Sequence, residues 1–219
     1  MNILDFKAEE LKGPILNKVF QVVEKLFFER YKDFQPSVKD LIIPIDIDTF
    51  EGQAAMKDYL EIRVVEELME MREAISDAVY GNGMNEHIYE EIGDSFNFLI
   101  NSYILYGWSS DKFESVERLW QDFKSTNIPP NGNMFKTPTI DSSTLEVVCD
   151  IGLACNKLKI RPWKKSQYLT DMLVFEERLE KIYYSFMTLV FHLNIHPDML
   201  WSIFSRKNQC NEFRLDTGY

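Results

Sequence analysis

Glycine and proline are scarce in this chain, at 9 and 8 of 219 residues. Leu, Glu, Lys and Met are plentiful, so little interrupts a helix and the composition favours one. Cysteine is scarcer still. Cys149, Cys155 and Cys210 are odd in number and form no CxxC, which points to a reduced, cytoplasmic setting. The histidines are His87, His192 and His196. His192 and His196 lack a third nearby ligand, so a zinc enzyme is not expected and all three read as core or surface residues. Met1 to Pro14 has no basic region followed by an apolar run, so no signal peptide is evident. No apolar stretch reaches membrane-spanning length. Positive charge is in deficit: 24 Lys and Arg stand against 35 Asp and Glu, for a net charge of −11. That argues against binding nucleic-acid backbones, which takes a basic surface. Small phosphorylated ligands remain open, because bound Mg2+ reverses local charge.

The chain is 45% hydrophobic and long enough for one sizeable core. The stretch from Arg63 to Asn101 organises it. Two acidic pairs, Glu67-x-x-Glu70 and Glu91-x-x-Asp94, lie on two helical segments joined by Tyr80-Gly81-Asn82-Gly83-Met84-Asn85. Residues three apart sit about 60° from one another on a helix, so each pair presents two oxygen ligands on one face. Like charges at that spacing weaken an isolated helix slightly, and a hard divalent cation is the obvious compensation. A lone ExxE is usually a solvated face. The second helix makes the stronger case. Ile92, Phe96, Leu99, Ile100 and Tyr103 give it an apolar body, yet Glu91, Asp94, Asn97 and Asn101 form a polar row that needs partners.

Taken in order, the apolar spacing predicts a helix from Ile15 to about Phe34, with Gln21 and Glu24 near its stripe. Gln35 to Thr49 is a connector with a short extended piece at Leu41 to Ile43. Asp48 with Glu51 marks a helix start, and that helix runs from about Phe50 to Val79. Helices follow over Glu86 to Tyr106, stopped by Gly107, and over Ser109 to Lys124. Asn127 to Ser142 is the longest loop and the boundary between a first half, about 1–126, and a second, about 143–219. Ser143-x-x-Glu146 is a capping box that opens a helix to about Leu158. The basic segment Arg161-Pro162-Trp163-Lys164-Lys165 reads as a solvated loop with one anchored aromatic. Helices over Gln167 to Leu193 and Pro197 to about Gln209 complete the chain, with an irregular tail from Asn211. The expectation is an all-α bundle of two related helical halves in a single domain. Arg178 and Lys181 stand three apart on the second long helix, as Glu91 and Asp94 do on the first, so the second half is expected to be catalytically degenerate.

The tail carries the most specific signal: Lys207-Asn208-x-x-Asn211-x-x-Arg214-x-x-x-Gly218-Tyr219. Lys as a point charge, Arg as a bidentate fork and Asn as a neutral donor make a phosphate clamp.

Acidic pairs followed by this tail resemble the all-α NTP pyrophosphohydrolases, in the branch of the dimeric dUTPases and phage dCTPase–dUTPases. The resemblance covers about Asp58 to Tyr219 and is close only at the motif positions. It implies an all-helical homodimer that binds two or more Mg2+ ions, with Mn2+ as a possible substitute. It also implies cleavage of a deoxynucleoside triphosphate to the monophosphate and pyrophosphate, in a bacterial or phage-infected cytoplasm. Glu67 and Glu70 fall on the family's first acidic pair, and Glu91 and Asp94 on its second. Lys207, Asn208, Asn211, Arg214 and Tyr219 fall on the tail that contacts phosphates and nucleotide. Asn97 stands where many relatives carry His, and Gln21 followed by Glu24 partly matches the base-reading positions of the first helix.

On this reading Glu67, Glu70, Glu91 and Asp94 hold metal, and Glu70, aided by Glu67, activates a water. Lys207 and Arg214 stabilise phosphate charge. The substrate expected is dUTP, with dCTP or both as the alternative. The rival of another class is a non-catalytic helical interaction protein.

Overall fold

A 3.6-residue apolar repeat makes one helix after another along this chain. The computed structural model describes residues 11, 13–27, 32, 35–80, 86–126, 137–158 and 171–217. Among the described residues there is no strand, and the fold is all-α. The helices are α1 (Ile15–Leu26), α2 (Phe50–Lys57), α3 (Val65–Tyr80), α4 (Glu86–Tyr106), α5 (Val116–Thr126), α6 (Thr137–Cys155), α7 (Met172–His192) and α8 (Pro197–Thr217). A π-helical segment, Asp58–Val64, joins α2 to α3 without a break.

Helix α4 is the centre. It packs against α1, α2, α3 and α8. Its apolar face is sealed by aromatic contacts. Phe96 stacks on Phe186 of α7 at 5.8 Å and meets Phe204 of α8 edge-on at 6.0 Å. Tyr103 donates to the Leu179 carbonyl at 3.3 Å, and Tyr106 to Glu176 at 3.0 Å. The falling partner numbers show α7 antiparallel to α4. Helices α6 and α7 form a second antiparallel pair, tied by Ser143 to His192 at one end and Asp150 to Lys181 further along.

Several boundaries differ from the sequence expectation, each for a local reason. Helix α1 is seen through Leu26; 28–31 and 33–34 lie outside the described residues. Leu41 to Ile43 forms no strand, because no strand among the described residues is there to pair with; the connector is tied instead by Ile45 N–H donating to the Leu105 carbonyl at 2.8 Å. Thr49, not Asp48, caps α2, its hydroxyl accepting from Gly52 N–H at 3.0 Å. Ser109 to Lys124 is two pieces, a 3-10 turn at Ser110–Lys112 and then α5. Helix α6 begins at Thr137 rather than Ser143, since Pro138 is tolerated in a first helical turn. Ser143 is therefore interior, and its hydroxyl lies 2.7 Å from His192 Nδ1. Asp171 caps α7. The tail is not irregular: α8 continues to Thr217, because no helix breaker precedes Gly218. The Gly81 to Asn85 turn, the loop over 127–136, Arg161 to Lys165 and Tyr219 lie outside the described residues. No described helix is long and apolar enough to cross a membrane.

Replacing the fully buried Phe96 by Ala should cost about 3–5 kcal/mol in denaturant unfolding. Leu173→Ala, at a position 68% exposed, should change stability by less than about 0.5 kcal/mol. Similar losses for the two would refute α4 as the packing centre.

Candidate metal centre

Glu67 and Glu70 are one turn apart on α3, and Glu91 and Asp94 one turn apart on α4. The packing of α3 on α4 turns the two pairs toward each other. One carboxylate oxygen from each of Glu67, Glu70 and Glu91 lies within 4.8 Å of the other two. Oxygens on opposite sides of a Mg2+ ion, at about 2.1 Å each, are about 4.2 Å apart, so the trio would close up slightly from this limit to share one ion. Glu91 is buried, Glu67 and Asp94 are half-buried and Glu70 is exposed. The cluster thus has a closed floor and one open side, at Glu70.

The fourth carboxylate meets α8. Asp94 is ion-paired with Lys207. Helix α8 can approach this closely because position 93 of α4 has no side chain. A Cβ on Gly93 would sit 3.2 Å from Ile203 Cγ2 and 3.5 Å from Lys207 Cβ. Lys207, Asn211 and Arg214 follow at spacings of four and three, so the tail motif becomes one face of a helix. Arg214 is exposed, and its charge reaches Asp94. Asn211 is half-buried. Asn208 points elsewhere: it is 3% exposed and donates its amide N–H to the Phe204 carbonyl at 2.9 Å. Asn97, one turn past Asp94, is half-buried, and its carbonyl accepts from Asn101 at 3.0 Å. Gln21 is not brought to the carboxylates. It lines a separate cavity beside the far end of α4, with Glu24, Trp108 and Ser110.

One neighbour of the cluster, His87, was missed in the sequence, and Arg63 turns out to be held elsewhere. His87 Nδ1 lies 2.9 Å from Glu91 Oε1 and 3.6 Å from Glu90 Oε2. Its spacing of four before Glu91 was the readable signal. Arg63, one turn before Glu67, is held by Asp58 at 2.9 Å and lies over the Tyr59 and Phe98 rings at 4.8 and 5.5 Å. Its direction is set within the π-helical segment, where an α-helical repeat misassigns faces.

Glu67 and Asp94 hold protons more tightly than free carboxyl groups. Burial first, then a hydrogen bond with Glu91 and the charges of Asp94, Glu91 and Glu70, push Glu67 up to about 8. Burial also raises Asp94, partly offset by Lys207. Burial would lower Lys207, but Asp94, Glu91 and Glu90 outweigh it and raise the ammonium. Burial leads the shifts of Glu67 and Asp94, and the crowded carboxylates add to both and raise Lys207; a divalent cation would relieve that crowding. The donor set is carboxylate oxygen, so these residues fit a hard ion such as Mg2+. In the second helix pair the same kind of crossing holds an ammonium instead: Lys181 Nζ is 2.9 Å from Asp150 and 3.9 Å from Glu146.

No family model, curated protein or solved structure matches the chain. The site therefore has to be judged on its own residues.

Unfolded Glu67 loses its proton near 4.5 and folded Glu67 near 8. Between those values the folded state binds more protons, so without divalent cation stability should fall as pH rises and level off above about 8. Mg2+ bound there would have to displace that proton, so its stabilising effect should grow over the same window. Tm measured at pH 5, 6.5 and 8.5, with and without Mg2+, checks both, and Glu67→Gln should flatten the pH dependence. A Mg2+ effect equal at all three pH values would count against the site.

Proposed function

We propose that this chain is a metal-dependent hydrolase acting on nucleoside triphosphates. Within that class the reading favoured is a Mg2+-dependent deoxynucleoside triphosphate pyrophosphohydrolase, converting dUTP and water to dUMP and diphosphate; dCTP, or both, is the alternative. One observation carries it: two carboxylate pairs face each other across α3 and α4, with the Lys207–Arg214 face of α8 alongside.

Glu67, Glu70, Glu91 and Asp94 would hold the ions. Mg2+ held there, or Mn2+ in its place, would supply charge neutralisation of the triphosphate and acidify a nearby water. Glu70, on the open side, orients the water and takes its proton as the water oxygen bonds to phosphorus. The resemblance implies attack at the β-phosphorus. Its bond to the α-bridging oxygen then breaks, the monophosphate leaves with the electron pair, and the water oxygen ends in diphosphate. Lys207 exchanges Asp94 for phosphate, and Arg214 adds a planar fork. The resemblance also implies a homodimer. Ile62, Met69, Leu145 and Leu153, exposed on adjoining helices, offer a face for it.

A panel of deoxynucleoside triphosphates scored for pyrophosphate should show Mg2+-dependent release from dUTP, dCTP or both. Release from none would favour the non-catalytic interaction protein. Glu70→Gln should lower kcat by about 10²–10⁴-fold with Tm within a few degrees of the parent. Activity within a few fold would remove Glu70 as the base. Arg214→Ala should cost about a hundredfold in kcat/KM, with Arg214→Lys restoring only part, because an ammonium keeps the charge but not the fork.

A further inference from the structure

Beside the carboxylates, a groove of ≈ 390 Å³ runs between the first turns of α4 and most of the length of α8, from Met199 to Arg214. That lies within the ~300–1,000 Å³ of small-molecule sites. Tyr89, Met199 and Ile203, all half-buried, line it with apolar surface. Lys207 and Arg214 line the same groove, and both also act on Asp94. We propose that this groove takes the base and sugar of the nucleotide, a proposal that rests on the triphosphate reading above.

Three features converge on that occupant. The groove and the carboxylates share Lys207 and Arg214, so a ligand with phosphates against those cations continues into the groove without a gap. Tyr89 stands two residues before Glu91, about 200° round α4, so it faces the groove while Glu91 faces α3. A half-open tyrosine ring beside aliphatic side chains is a platform for a flat heterocycle, since every base presents a π face. The cavity at Gln21 fits less well. Ile104, which lines it, is ten residues beyond Asp94, or about 15 Å along the helix at ~1.5 Å per residue. A deoxynucleoside does not bridge that distance from its α-phosphate. The base is thus held by stacking beside α8 rather than by Gln21 on α1.

Calorimetric titration with dUMP and dCMP tests this without turnover. Tyr89→Ala should bind both about tenfold more weakly, Tyr89→Phe should bind as the parent does, and Mg2+-tripolyphosphate affinity should not move. A measurement on the parent side chains guards against a folding defect. Cys210 lines the groove and is exposed, so in a Cys149→Ser background dUMP should slow its reaction with a maleimide. Monophosphate binding that is absent, unmoved by Tyr89→Ala, or lost in Gln21→Ala instead would overturn the groove assignment. Pyrophosphate release reports on the enzyme reading separately: a protein that binds dUMP through Tyr89 yet cleaves no triphosphate keeps the groove and loses the activity.

Discussion

The contact between the carboxyl groups of Glu67 and Glu91 is the constraint that the rest of the molecule accommodates. Two carboxylates in a partly sealed space cannot both be ionised cheaply, so a proton, an ammonium or a metal ion has to intervene. Two of these answers are visible. Glu67 keeps its proton to about 8, and Lys207 reaches across from α8 to Asp94. Neither brings the double charge of a divalent cation, and neither occupies the open side at Glu70.

The core and the site share one helix, so packing sets the site's geometry. Phe96 of α4 rests on Phe204 of α8. Two residues back on α4 and three on along α8, Asp94 meets Lys207, and Gly93 lets the two backbones close up. The register that buries the aromatic pair therefore delivers the cation to the carboxylate. A side chain at position 93 would act on both at once.

The second helix pair shows the same electrostatic problem solved permanently. Asp150 is almost wholly buried, and its partner is Lys181 at 2.9 Å, a covalently supplied cation that no ligand has to provide. The first pair has two acidic helices facing each other and borrows its cation from a third. That difference separates a crossing neutralised by its own lysine from one whose carboxylates outnumber the cations they meet.

Local periodicity was enough to read all-α, the central helix Glu86–Tyr106 and the two acidic pairs, because 3.6-residue spacing and a stopping glycine are properties of a single segment. The caps at Thr49 and Asp171, and the start of α6 at Thr137, escaped because several nearby residues offer equivalent capping chemistry and only the chain's path selects one. The π-helical segment, which determines where Arg63 points, leaves no trace in the apolar pattern. The residues of the tail motif were legible, but as an irregular clamp. Only the tertiary structure decided that Lys207, Asn211 and Arg214 form one face of a helix laid beside Asp94, that Asn208 turns inward, and that Gln21 belongs to another cavity. Sequence determines which face of a helix is polar, since that follows from spacing alone; which helix it meets follows from how side chains distant in sequence fill a common core.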